Sequence, residues 1–131
     1  MLLLDTCAII FDALDPARLS QKVLLAINQA DETGRLSCSD ISLWEIAMLV
    51  AKGRLKPGTD SKTFIQLILT VRSIKVLPIS PEIAAKSAQP DFCPHGDPAD
   101  RIIAATALLN KAKLVTSDQK LLAVAGLNVV W

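Results

Sequence analysis

The chain opens on three leucines, Leu2-Leu3-Leu4, stopped by an acid, Asp5. So short an apolar run reads as a buried strand with the carboxylate at its C-terminal end. Thr6 follows as a candidate cap for the next turn, and Ala8 to Leu14 suits a short helix before Asp15-Pro16 punctuates the chain. From Pro16 to about Asp31 the spacing is helical, with Leu19, Val23, Leu24 and Ile27 inside and Arg18, Lys22 and Gln29 outside; Gly34 closes it. Leu36-Ser37-Cys38 is a second strand. Ser39-Asp40 then starts a helix from Ile41 to Lys52, with Ile41, Trp44, Met48 and Ala51 along one inward stripe and Glu45 at its edge. Ser61 to Arg72 is a helix turning Phe64, Ile65, Ile68 and Leu69 inward, and Lys75 to Ile79 is a strand.

Ser80-Pro81-Glu82 opens a short helix to about Ala88, and a loop over 89–96 leads to Asp97-Pro98, a helix start with proline at the first position. From Ile102 to Leu109 that helix carries no charge, so it packs on both sides and lies inside the domain. Lys113 to Thr116 is a third marked strand ending at Ser117-Asp118. A helical turn follows from Gln119, then Gly126, then a last strand from Leu127 to Val130. Strands alternating with helices, most of the strands uncharged, predict an α/β fold with a parallel sheet covered on both faces.

Composition narrows the class. At 131 residues, 51% hydrophobic and 21% charged, the sequence predicts one folded domain over 1–131. No apolar run approaches the roughly 20 residues of a membrane span, and Met1 to Asp5 is too short and too soon acidic for a signal peptide. Cys7, Cys38 and Cys93 are odd in number and lack close pairing, against a disulfide scaffold or zinc site, so the expected location is cytoplasmic. A net charge of +1 does not by itself suggest a nucleic-acid binder. It hides a basic remainder, however, if five of the 13 acids are gathered in one pocket against 14 bases.

The acids in question are Asp5, Glu45, Asp97, Asp100 and Asp118. Ligands of open α/β sheets bind at the carboxyl ends of the strands. Asp5 and Asp118 follow strands, Asp97 and Asp100 begin a helix fed from that edge, and Glu45 lies a turn into another helix. Clustered carboxylates persist only when a cation or protons offset them. Mg²⁺ or Mn²⁺, hard ions that take oxygen ligands and keep water, suit such a set. Each residue also has a structural alternative: Asp97 and Asp118 as helix caps, Asp100 in a capping box, Glu45 as an exposed helix residue, His95 as a loop residue. Asp5, an acid against three leucines, most needs a partner.

Four segments in series, LLLDTCAII, SLWEIAMLVAKGRLK, HGDPADRIIAATALL and LVTSDQKLL, resemble PIN domains, and specifically the VapC type of toxin ribonuclease. The resemblance spans nearly the whole chain. It implies an α/β/α sandwich around a mainly parallel sheet and an Mg²⁺- or Mn²⁺-dependent endoribonuclease cutting RNA, with tRNA, rRNA and mRNA all open as targets. It puts Asp5, Glu45 and Asp100 at the three core acidic positions and Asp118 at a fourth, all as metal-binding catalytic residues. Asp97, Thr116 and Thr6 are supporting residues. Arg54 and Lys56, with Lys52 beside them in a basic turn, are candidate RNA contacts, and Arg101 contacts RNA or pairs with Asp97. The resemblance also implies a homodimer and a cognate VapB-type antitoxin in a hydrophobic groove, expected from Ala8 to Phe11 and the helix from Pro16.

A phosphoacceptor receiver domain needs adjacent acids after the first strand, whereas Asp5 is followed by Thr6-Cys7. A haloacid-dehalogenase-like phosphatase needs an acid where Cys7 stands. The remaining rival is a PIN-fold RNA- or partner-binding module without significant nuclease activity.

Overall fold

The computed structural model describes residues 1–94 and 96–131. Five strands, β1 (Leu2–Leu4), β2 (Leu36–Ser39), β3 (Lys75–Leu77), β4 (Lys113–Val115) and β5 (Asn128–Val130), form one sheet in the order β3-β2-β1-β4-β5. Every pairing is parallel. Six α-helices accompany them among the described residues: α1 (Thr6–Leu14), α2 (Gln21–Glu32), α3 (Asp40–Ala51), α4 (Ser61–Val71), α5 (Pro81–Ala88) and α6 (Pro98–Leu109). No described helix is long and apolar enough to cross a membrane.

The leucine run is short because it threads the sheet centre, where alternate side chains enter opposite layers. Leu2 and Leu4 join the core shared with Ile9, Val23, Ile27, Ile46, Phe64 and Ile68, whereas Leu3 joins Ile103, Ala104, Ala107 and Leu114. Helices α1, α2 and α4 therefore cover one face and α6 the other, with α5 packed on α6. This is the expected α/β/α sandwich. Helix α6, uncharged from Ile102 onward, is buried at Ala99 and from Ile103 to Ala107, as that composition requires. Gly126, at φ +81°, turns the chain into β5, and Leu108 Cδ1 lies 3.3 Å from where a Cβ would stand.

Three local expectations fail for physical reasons. Asp5 rather than Thr6 caps α1, because its carboxylate reaches the Ala8 N–H while Thr6 is already the first helical residue. The segment from Pro16 is two pieces, a 3-10 turn (Pro16–Arg18) and α2, because Ser20 caps a fresh start by accepting from the Val23 N–H. On α3 the buried residues are Ser42 and Ile46, whereas Trp44 is 59% exposed and Ala51 is exposed as well. That helix is apolar nearly all round, so its pattern does not distinguish the face that meets the sheet.

Candidate active site at the carboxyl edge of the sheet

Beside β1 the strand order turns: β2 and β3 lie to one side, β4 and β5 to the other. The crevice outside the carboxyl ends of β1 and β4 is the switch point at which an open parallel sheet binds its ligands. Asp5 stands at one lip, and Thr116 and Asp118 follow β4 at the other.

Asp5 is buried, with Oδ1 accepting from the Ala8 N–H at 2.7 Å and the Thr116 side chain favouring its charge. Burial raises its pKa above the ordinary 3.8, the Thr116 and Ala8 bonds oppose the rise, and the charges of Glu45 and Asp118 add to it. Glu45 projects from α3, half-buried, with Oε1 2.5 Å from the Thr6 hydroxyl. Its pKa is also raised, first by burial, against the Thr6 hydrogen bond and with repulsion from Asp97. The thiol of Cys7, an exposed residue, is pushed up to about 11 by partial desolvation and then by the charges of Asp5, Glu45 and Asp100, with Arg18 acting the other way. Acids from four separate segments thus act on one another electrostatically.

Each aspartate also does local work. Asp97 Oδ1 accepts from the Ala99 N–H at 2.9 Å and caps α6, whose first turn carries the half-buried Asp100. Asp118 Oδ1 accepts from the Lys120 N–H at 3.0 Å, and its own N–H donates to Thr116 Oγ1 at 3.1 Å. Capping and electrostatic clustering therefore coexist at Asp97 and Asp118.

The donor set is chemically right for a hard divalent ion: carboxylate oxygens, two of them on groups whose ionised form burial and repulsion disfavour. Among the described residues, no three acidic side chains close to the spacing of a ready-made metal cage. An ion that keeps several of its own waters suits so open a set.

The basic candidates divide. Arg54 and Lys56 are exposed in the turn after α3. Arg101 donates through Nε to the Ser87 carbonyl (2.8 Å) and through its terminal nitrogens to those of Cys93 (2.7 Å) and Gln89 (2.5 Å). It staples the chain between α5 and α6, a role absent from the sequence expectation. His95 lies outside the described residues. The sequence reading missed Ser42, wholly buried at hydrogen-bond distance from Thr6. Its signal was positional, three residues before Glu45 and so on the same helix face.

Residues 2–127 match the PIN domain family. Ribonuclease VapC22 of Mycobacterium tuberculosis is 35% identical over 120 residues, covering 91% of this chain and 88% of that protein. Among solved structures, VapBC2 from Rickettsia felis, bound to a DNA fragment from its promoter, superposes with TM-score 0.74 at 17% identity, over 98% of this chain and 96% of that one. FitAcB from Neisseria gonorrhoeae superposes with TM-score 0.72 at 26% identity, over 100% and 97%.

Proposed function

The chain belongs to the PIN domain family, and from that premise we propose that it is a divalent-metal-dependent endoribonuclease, the toxin of a toxin–antitoxin pair. What supports the reading is the electrostatic interaction among Asp5, Glu45, Asp97, Asp100 and Asp118 near the sheet's switch point. Its similarity to a named ribonuclease over nine-tenths of the chain supports RNA as substrate.

Asp5, Glu45, Asp100 and Asp118 hold Mg²⁺ or Mn²⁺, directly or through water. When bound, such an ion neutralises charge on the phosphoryl oxygens and acidifies water. Thr116 accepts from the Asp118 N–H and favours the charged form of Asp5, and Asp97 fixes the start of α6 and so the place of Asp100. A carboxylate not engaged by the ion orients the attacking water in line with the leaving oxygen and takes its proton. Arg54 and Lys56 contact the RNA backbone. The RNA is tRNA or rRNA.

An antitoxin partner is supported by the chain's likeness in fold to a toxin–antitoxin complex from Klebsiella pneumoniae. The groove expected around Ala8 to Phe11 is mostly spent inward, since Ala8 and Ile9 are buried in the core. A cavity of about 470 Å³ between α1 and α4, lined by Ala13, Phe64, Leu67 and Val71 and closed at one side by the Asp12–Arg72 ion pair, is the candidate dock, with Leu67 54% and Val71 75% exposed. We further read 1–131 as one cytoplasmic domain acting as a homodimer, which light scattering tests.

The experiment for the activity is end analysis of RNA cut with Mg²⁺, Mn²⁺ or EDTA. Attack by water leaves linear phosphate ends, whereas attack by the RNA's own 2′-hydroxyl leaves 2′,3′-cyclic phosphates. Linear ends produced only with metal support the reading; cyclic ends, or cutting in EDTA, overturn it.

A further inference from the structure

The Thr6 hydroxyl stands between two side chains of α3. It lies 2.5 Å from Glu45 Oε1 and 3.0 Å from Ser42 Oγ. Thr6 is buried, and Ser42 is wholly so. A hydroxyl has one proton to donate, and an ionised carboxylate can only accept. The Thr6 proton therefore goes to Glu45. With Glu45 ionised and holding the Thr6 proton, the Thr6 oxygen 3.0 Å from Ser42 Oγ is left as an acceptor, and the Ser42 hydroxyl rotates to donate to it. The three groups form a one-way relay, Ser42 to Thr6 to Glu45, in which each bond polarises the next.

The geometry explains why two segments are needed. Ser42 and Glu45 are three residues apart and share a face of α3, while Thr6 enters between them as the first residue of α1. A helix serine ordinarily satisfies itself on a carbonyl of its own turn; this one turns to another helix. Glutamate has three side-chain torsions, and ordering them costs entropy at the moment a ligand binds unless something has already fixed them.

We propose that Ser42 is a positioning residue: acting through Thr6, it holds Glu45 with Oε1 turned inward and leaves Oε2 as the oxygen available to a divalent ion. This rests on the reading of Glu45 as an ion ligand. It also assigns Thr6 to the carboxylate and not to substrate, because its one proton is already committed.

The test is the affinity for Mn²⁺, read as loss of the free-ion EPR signal, in wild type, Ser42→Ala, Thr6→Val, Thr6→Ser and the Ser42→Ala/Thr6→Val double variant. Losing a group that orients a metal ligand weakens affinity by about 10–100-fold. Thr6→Val belongs in that range, and Ser42→Ala, one bond further out, loses about 3–10-fold. Thr6→Ser, which keeps the hydroxyl, stays within about twofold of wild type. In the Thr6→Val background, Ser42→Ala has no further effect, because the relay is already cut. The proposal is overturned if Ser42→Ala binds Mn²⁺ as wild type does, or if its loss recurs in full in the double variant. Wild type that takes up no Mn²⁺ overturns the ligand reading itself, a distinguishable result. Urea midpoints identify any variant lost to unfolding; Ser42→Cys, a near-isostere and weak donor, then stands in for the alanine.

Discussion

Asp5→Asn changes one atom and one charge at the end of β1. Asparagine caps helices as well as aspartate does, so the 2.7 Å bond from the Ala8 N–H survives. The Thr116 hydroxyl can turn to accept from the new amide. What disappears is a buried negative charge whose pKa is raised by burial and by Glu45 and Asp118. A carboxyl raised in the folded state is held protonated more tightly there than in the unfolded chain. Its stabilising contribution is complete below the ordinary 3.8 and is lost as pH rises through the raised value. At pH 7 in EDTA the wild type carries that penalty and the variant does not. The variant should be the more stable by about 0.5–2 kcal/mol, the usual return when a strained functional site is relaxed. For a chain of this size that is about 2–8 °C in Tm. With Mn²⁺ at a hundred times its Kd, the order should reverse, because the ion stabilises wild type by about 2.7 kcal/mol and the variant much less. Thermal melts with and without the ion decide it. A variant less stable than wild type in EDTA by 1 kcal/mol or more would refute the reasoning, since Asp5 would then be structural first.

Three further outcomes are expected. Arg72 binds Asp12 through two 2.9 Å bonds and Asn28 at 2.7 Å, tying α1 and α2 to the end of α4; Arg72→Ala should cost about 3 kcal/mol in urea unfolding, most of it recovered when Asp12→Leu is added. Arg54→Ala/Lys56→Ala should flatten the dependence of log K for single-stranded RNA on log salt by about 1.4, measured by anisotropy in EDTA, while Arg101→Ala should lower Tm. Leu67→Glu should weaken antitoxin binding by at least about tenfold in calorimetry and leave RNA cleavage intact, because the α1–α4 cavity is separate from the acidic edge.

Most of the architecture was legible because strands in a doubly covered sheet must be apolar. Leu2–Leu4, Leu36–Cys38 and Lys113–Val115 declare themselves that way. Caps did nearly as much: Ser39, Ser80 and Asp97 fix helix starts within a residue. The uniform apolarity of α3 hid its buried face, and so hid Ser42, whose hydroxyl matters only once α1 is packed beside it. The carbonyl bonds of Arg101 were not legible, because its partners Ser87, Gln89 and Cys93 are brought near only by the fold. Asp5, Asp97, Asp100 and Asp118 were legible because each follows a strand or begins a helix, whereas Glu45 lies within α3; how far apart the acids stand was not.

The most direct measurement is single-turnover cleavage of total RNA by purified, antitoxin-free protein, wild type beside Asp5→Asn, with Mn²⁺ or EDTA. Discrete fragments from wild type that require the ion and vanish in the folded variant are the predicted result. Equal cleavage by both proteins, or none by a folded, Mn²⁺-binding wild type on any RNA, would contradict the assignment of this acidic edge as a ribonuclease centre.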